Sequence, residues 1–475
     1  MKKILIILLL AMSVALNATV YYVQPKSENA NASDSNVGTN INYPWETWGK
    51  AFTSASVVAG DTVYFRGGVY YSAAGKGGYT LSKSGTITDT LYMLNYPNEK
   101  PILDCRGQPI ISSNYSIGVS IRNNSYLRVR GLTIRNALQY DGDDEATGLA
   151  LERTSNSVIE NCTVYNTHGR GFYCYENYEL YIINCDSYDN CDSLTTVPPS
   201  NPLPGNDGYG FTVSESLVTS TIYFKNCRAW GNGDDGFATG SIGYCEYDNC
   251  WAFRNGKLEG NGQGYKMGWI YTTTAPLNRL YKNCIAAFNR VHGWTTNDQD
   301  YGVGVLNVYN NTSYHNGYQG WYNPVYGFYI ENTNDDDQAT ETARRIFKNN
   351  IAYANEGAQA YAMSGAGWTN TYNSWNTPPG VTLSDANFIS VDSTGITAAR
   401  QADGSLPDND CYNYFLKLAP TSDLIDAGMD VGLPYNGTAP DLGAFEYIVS
   451  QIKNVFRLGL QIMHGNKVVY RIVDN

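Results

Sequence analysis

The chain has 475 residues, 44 acidic against 32 basic, for a net charge of −12. That balance argues against nucleic acid as a partner, because such binding is driven by basic surface meeting phosphate. Only 16% of residues are charged, while 47 glycines, 40 tyrosines and 9 tryptophans point to a turn-rich β protein with many rings. Those rings can stack on one another or on the apolar faces of sugars.

The first residues read as a secretory leader: Met1-Lys2-Lys3, an apolar run from Ile4 to Leu16, and a small-residue cleavage point at Ala18. The run is too short for a spanning helix, and no later apolar run approaches membrane length. No Cys follows the run, so a lipid anchor is not expected. Residues 1–18 are therefore expected to be a signal peptide, and the mature chain a secreted monomer with no membrane span. Loss of Lys2 and Lys3 takes the net charge of −12 to −14.

Residues 19–100 read as an N-terminal cap with the first strands. Trp45-Glu46-Thr47-Trp48 leads into an amphipathic stretch, and Gly60-Asp61-Thr62-Val63-Tyr64-Phe65 follows as a strand. A helix here would cover the open end of a stack of strands.

Beyond Pro101 a phrase repeats: an Asn, usually followed by Cys, then an aromatic residue eleven positions after the Asn. Asn161 leads to Phe172, Asn226 to Phe237, Asn283 to Trp294 and Asn310 to Trp321. A fixed spacing recurring at intervals of 23 to 42 residues marks a solenoid with one coil per repeat. Within a coil, short runs alternate apolar and polar residues between asparagines, which reads as strands joined by tight turns. The expected fold is all-β, a right-handed parallel β-helix. Asn161, Asn184, Asn226, Asn249 and Asn283 are expected to form an asparagine ladder, with Cys162, Cys185, Cys227, Cys250 and Cys284 buried beside it as thiols. Cys174 and Cys191 fall outside that phase and are the pair to test for a bridge. The chain has no CxxC pair or Cys/His cluster that would suggest zinc.

Two coils break the rule. Five extra residues enter between Asn249 and Tyr265, within Gly256-Lys257-Leu258-Glu259-Gly260-Asn261-Gly262-Gln263-Gly264, and fourteen between Asn184 and Tyr209, including Pro198, Pro199 and Pro202. Insertions at one phase of a solenoid project from one side and often build its binding face.

Anchoring coils on Tyr209 and Phe237 puts Asp207 and Asp235 at one phase of neighbouring coils, with Asp234 alongside. Three such carboxylates repel unless a cation sits among them, and an all-oxygen set suits Ca²⁺. Lys266 lies one coil further on, about 10 Å from the Asp235 phase by strand geometry. A cation beside it would lower its pKa and make it available as a base. Read singly, these residues are turn-capping aspartates and an exposed lysine; their shared phase and the flanking insertions favour the site.

These phrases resemble polysaccharide lyase family 9. The likeness lies in Gly205-Asn206-Asp207-Gly208, in the stretch from Asn226 through Asp234-Asp235-Gly236-Phe237, and in Gly260 through Tyr265-Lys266-Met267-Gly268. It extends to Asp403-Gly404-Ser405-Leu406-Pro407, Leu424 to Gly428 and Ala439 to Glu446, and so covers most of residues 19–447. The resemblance implies cleavage of an acidic pectic polysaccharide by β-elimination, with Lys266 as the base and Asp207, Asp234 and Asp235 as calcium ligands. One position departs from the family's pattern. Where a further Asp ligand follows the Asp-Asp-Gly-aromatic run, this chain has Ala238, so calcium is expected to be held more weakly or by another oxygen.

Arg228, Arg254 and Arg290 are candidates to meet further uronates, though each also reads as an ordinary surface residue, and Trp230, Trp269 and Trp294 are candidates to shape the groove. Homogalacturonan and the alternating rhamnose-galacturonate backbone both carry the uronate this chemistry needs. Two other readings compete. One is a pectin-type glycoside hydrolase, whose acid and base carboxylates stand about 6.5–9.5 Å apart; the other is a non-catalytic surface β-helix that binds glycans. The lyase domain is expected over residues 101–447, its last part packed back along the coils, and residues 448–475 have no assignment.

Overall fold

The structure, a computed structural model, describes residues 18–72, 78–107, 116–139, 146–195, 203–214, 219–240, 243–268, 278–296, 304–318, 324–330, 344–361 and 368–448, and the backbone of a hairpin, Gln461–His464 with Lys467–Arg471. The leader before Ala18, Pro198, Pro199, Pro202, Trp269 and Trp321 lie outside the described residues. Three sheets run the length of the molecule. Sheet I has 12 strands, from Val20–Val23 to Trp368–Thr371. Sheet II has 10, from Tyr79–Leu81 to Ala358–Ala360, and sheet III has 10, from Gly68–Tyr71 to Ile351–Tyr353. Strands pair in parallel with the same sheet of the next coil, as in Thr221–Lys225 with Tyr244–Asp248. This is the parallel β-helix expected from the repeat.

The coil geometry follows from a few residues. From Ser155–Glu160 to Arg344–Lys348, each sheet I strand ends at a one-residue corner where the chain adopts a left-handed conformation, which Asn tolerates better than most residues. Asn161, Asn184, Asn226, Asn249, Asn283, Asn310 and Asn349 take φ from 51° to 60° there. The next residue points inward, and Cys162, Cys185, Cys227, Cys250 and Cys284 are buried free thiols as expected. From Asn311 onward the same inward position carries asparagine, and Asn311 Nδ2 donates to Asn350 Oδ1 at 3.0 Å and Asn350 Nδ2 to Asn373 Oδ1 at 2.8 Å.

The corner asparagines make only part of the expected ladder. Asn226 bonds Asn184 at 3.0 Å and Asn249 bonds Asn226 at 2.9 Å, but Asn161 donates to Asp403 O and Asn283 to Asp248 Oδ1. The continuous ladder lies six residues further along each coil: Asn190, Asn232, Asn255, Asn289, Asn316 and Asn355, all buried, each Nδ2 donating to the next Oδ1 at 2.9–3.0 Å. Each member's backbone N–H also donates to the following side chain, as Asn255 N does to Asn289 Oδ1 at 3.2 Å.

The Gly-aromatic pair of the repeat has a packing reason. The aromatics stack inside sheet II in the order Phe172, Phe211, Phe237, Tyr265, Trp294 and Phe328, with ring centroids 4.6–5.1 Å apart. The glycine before each aromatic sits at a corner with no room for a side chain. A Cβ on Gly236 would lie 2.8 Å from Ala252 Cβ and 2.8 Å from Gly264 O.

One end and one side are covered. A short helix, Trp48–Thr53, begins at an N-cap Thr47 whose side chain accepts from Lys50 N, and Trp48 packs on Phe65 at 5.0 Å. Residues 372–448 lie along sheet III, where Phe388, Tyr412, Phe415 and Leu424 join one apolar cluster with Trp251 and Ile285. Sheet III is thereby covered over much of its length. Cys174 lies within sheet II, and both Cys174 and Cys191 are free.

Candidate active site

Register across sheet II decides which side chains meet. Phe211, not Tyr209, pairs with Phe172 and Phe237. The insertion after Asn184 is therefore two residues longer than the aromatic spacing suggested, and Asp207 does not share the phase of Asp235. Tyr209 holds that phase instead, because Gly210 N bonds Asp235 O at 3.0 Å. Asp207 reaches the acids from a tight turn, where Tyr209 N bonds Asp207 O at 3.1 Å.

Two rows now run along the outer face of sheet II. Tyr173, Thr212, Ala238, Lys266 and Thr295 occupy one, on successive coils. Arg170, Tyr209, Asp235, Gln263 and His292 occupy the other, three residues earlier in each coil, and Asp234 sits beside Asp235. The insertion at 256–264 folds over this second row. Asp234 Oδ1 accepts from Asn261 N at 2.8 Å, and Asp235 Oδ1 accepts from Gln263 N at 2.9 Å. Glu259 N bonds Pro204 O at 2.8 Å, so the two insertions brace each other, and Lys257 pairs with Asp189 at 2.5 Å.

Asp234 and Asp235 are 1% and 0% exposed. Burial first, then the charge of neighbouring carboxylates, raises the pKa of both. Asp207 contributes to that repulsion, and Lys266 offsets it: its Nζ stands 3.9 Å from Asp235 Oδ2, with the side chain 13% exposed. Strand geometry placed the two backbones about 10 Å apart; the long lysine side chain closes the gap. Asp234 Oδ2 and Asp235 Oδ2 are buried without a hydrogen-bond partner. Asp192 also lies nearby, pushed up to about 6 by burial and by Asp207, and Thr195 Oγ1 donates to its Oδ2 at 3.0 Å.

Whether a cation fits here turns on those oxygens. Among the described residues no three Asp, Glu, His or Cys side chains close into a ready metal cage. The donors nonetheless suit a hard cation in kind, since all are oxygens, two are orphaned, and each carboxylate once ionised is an acceptor only. Ala238 is buried and adds no side-chain oxygen.

The structure brings together Asp207, Asp234, Asp235 and Lys266, and puts the other candidates elsewhere. Arg228 and Trp230 lie on sheet III beneath the C-terminal segment. The Arg228 guanidinium makes a two-point pair with Asp186 at 2.9 and 2.6 Å and donates to Tyr412 Oη at 2.6 Å, and Trp230 stacks between Tyr188 and Phe253. Arg254 donates to Ser393 Oγ at 3.3 Å on the same side. Arg290 is turned into the 256–264 insertion, bonding the carbonyls of Leu258 and Gly260. Trp294 is inside the aromatic stack. None of these five can meet a polymer on sheet II without rearrangement.

Gln263, Asp192, Thr212 and Thr295 were not singled out by the sequence. The outer row could have been read from it, as the residue after each stacked aromatic. Among the histidines, His292 Nδ1 accepts from Tyr326 N at 3.0 Å, and burial holds its pKa down to about 4, so it is neutral at ordinary pH.

A family model described as "Pel9A-like, right handed beta helix region" matches residues 21–334. The chain is 30% identical over 449 residues to pectate lyase L of Dickeya chrysanthemi, covering 90% of both chains. It is 25% identical over 420 residues to pectate lyase PEL9 of Emericella nidulans, covering 82% of this chain and 91% of the relative. The crystal structure of pectate lyase Pel9A superimposes with a TM-score of 0.69 at 27% identity, covering 91% of this chain and 97% of that one. A rhamnogalacturonan lyase matches with a TM-score of 0.66 at 22% identity, covering 85% and 97%, a likeness of fold.

Proposed function

Since this chain belongs to the Pel9A-like family of right-handed β-helices, we propose that it is a secreted enzyme that cleaves a galacturonate-containing backbone by β-elimination, with Lys266 as base and calcium bound by Asp207, Asp234 and Asp235. It is a polysaccharide lyase of the pectin-degrading class. No helix among the described residues is long and apolar enough to cross a membrane.

The observation that carries the lysine assignment is a nearly buried amine beside a pair of buried carboxylates on the outer face of sheet II. Elimination needs a base at C5 of the uronate. Lys266 Nζ takes that proton, the C5–H electrons form the C4=C5 double bond, and the C4–O bond breaks with its pair on the glycosidic oxygen. The leaving oxygen is then protonated from solvent. Because the insertion at 256–264 holds Asp234 and Asp235 by backbone N–H groups, their remaining oxygens are fixed in advance of substrate. Bound by these oxygens, calcium supplies positive charge that neutralises the substrate carboxylate next to C5 and favours the uncharged form of the lysine.

Ultraviolet absorbance of unsaturated uronate ends tests this reading, with polygalacturonate and with rhamnogalacturonan I, each with calcium and with a chelator. The expected result is a rise with at least one polymer that the chelator abolishes. New reducing ends without absorbance would instead point to hydrolysis, and neither signal to a glycan-binding protein.

The sheet III arginine gives a second test. Arg228→Ala is expected to cost about 1–3 kcal/mol of stability, because Asp186 loses a two-point partner and keeps only Arg400, at 2.9 Å, while leaving KM for the polymer unchanged. A raised KM with unaltered unfolding would return Arg228 to substrate binding.

A further inference from the structure

Buried polar atoms without partners are rare in folded proteins, and three of them belong to residues that adjoin beside sheet II: Asp234 Oδ2, Asp235 Oδ2 and Gln263 Oε1. Gln263 is 8% exposed. It follows Asp235 directly in the outer row, since Gly236 N bonds Gln263 O at 2.9 Å and Gln263 N bonds Asp235 Oδ1 at 2.9 Å. On its other side in the row is His292, joined through Gly264 N to His292 O at 3.0 Å. His292 stacks on Tyr329, which stands in the row of Lys266 and Thr295, so the row that holds Gln263 faces the same way as the lysine.

Where the two acids are ionised, all three orphan atoms accept hydrogen bonds and none donates. A water brings two hydrogens and no charge, too little for two carboxylates and an amide. Lys266 Nζ, at 3.9 Å from Asp235 Oδ2, is beyond hydrogen-bond reach. A hard divalent cation satisfies the whole set, and an amide oxygen is an ordinary calcium ligand. Resting on the calcium reading above, we propose that Gln263 is itself a calcium ligand, through Oε1, adding a neutral oxygen to the carboxylates of Asp207, Asp234 and Asp235. The neutral oxygen raises the coordination number without a further negative charge where an anionic polymer must lie.

Calcium titration calorimetry on the full chain, with terbium luminescence lifetimes in light and heavy water, tests the assignment without reference to turnover. Gln263→Met fills the same space without the oxygen, and Gln263→Ala removes both. Each is expected to weaken calcium at least about tenfold and to add one water to bound terbium, with unfolding in chelator unchanged from wild type. Gln263→Glu is expected to bind calcium at least as tightly as wild type. Wild-type affinity and water count in the methionine variant would overturn the proposal. A wild-type chain that binds no calcium would overturn the metal reading and this proposal together, and would be told apart from the first result by the wild-type titration alone.

Discussion

Lys266→Ala is expected to lower the rate of elimination by about 10²–10⁴-fold, the contribution usual for a positioned general base, with little change in affinity for an uncleaved oligosaccharide. The lysine stands against Asp235, and its side chain is nearly buried. Lys266→Arg separates the two roles the side chain could have. It keeps a positive charge beside Asp235, but a guanidinium does not shed its proton. If the arginine variant is as inactive as alanine, proton abstraction is the function lost; if it restores turnover, charge alone is what the site needs. Steady-state absorbance assays with calorimetric binding of a short oligosaccharide read both quantities. Wild-type turnover in Lys266→Ala would remove the base assignment outright.

The second large effect is on stability. Asn255→Ala is expected to cost about 3 kcal/mol or more, measured by chemical denaturation, because it leaves several buried groups unsatisfied at roughly 1–3 kcal/mol each. Asn232 N and Nδ2 lose the Asn255 Oδ1 acceptor, and Ala229 O loses a donor at 3.3 Å. Asn255 also precedes the insertion that carries Asn261 and Gln263 to the acids, so activity should fall with stability. Asn283→Ala is the control. That corner residue has φ of 57° and a single weak side-chain bond at 3.4 Å, so its cost should be limited to roughly 1–2 kcal/mol of left-handed strain in the new alanine. Equal costs at the two positions would mean that the buried ladder adds nothing beyond the corner.

What was legible in the sequence was whatever the coil repeats. The Asn-Cys corner and the Gly-aromatic pair recur because one turn conformation and one crowded corner recur, and both gave the fold and the inward thiols. Asp234, Asp235 and Lys266 were legible for the same reason, since a phase in the repeat is a position on a face. The register of Asp207 was misread because Tyr209 imitates the stacked aromatic two residues early, and a long insertion has no period to correct it. The buried ladder also has a fixed offset, six residues past each corner. It was overlooked because a second asparagine in a coil reads as another turn. Arg228, Trp230 and Arg254 were beyond reach for a different reason: only the path of residues 372–448 decides which side of the solenoid is covered, and no local pattern encodes a docking between segments some two hundred residues apart, as Arg228 and Tyr412 are.

The outer row of sheet II behaves like a pegboard. Its holes are strand positions spaced about 4.8 Å apart, locked by the stacked rings beneath and the buried asparagine ladder, so a functional group can be exchanged at a hole or moved by a whole coil, but not slid by a fraction. Chemistry on such a surface changes in steps: Thr212, Ala238, Lys266 and Thr295 occupy neighbouring holes on one scaffold, and the insertions after Asn184 and at 256–264 supply the continuous adjustment that the board itself forbids.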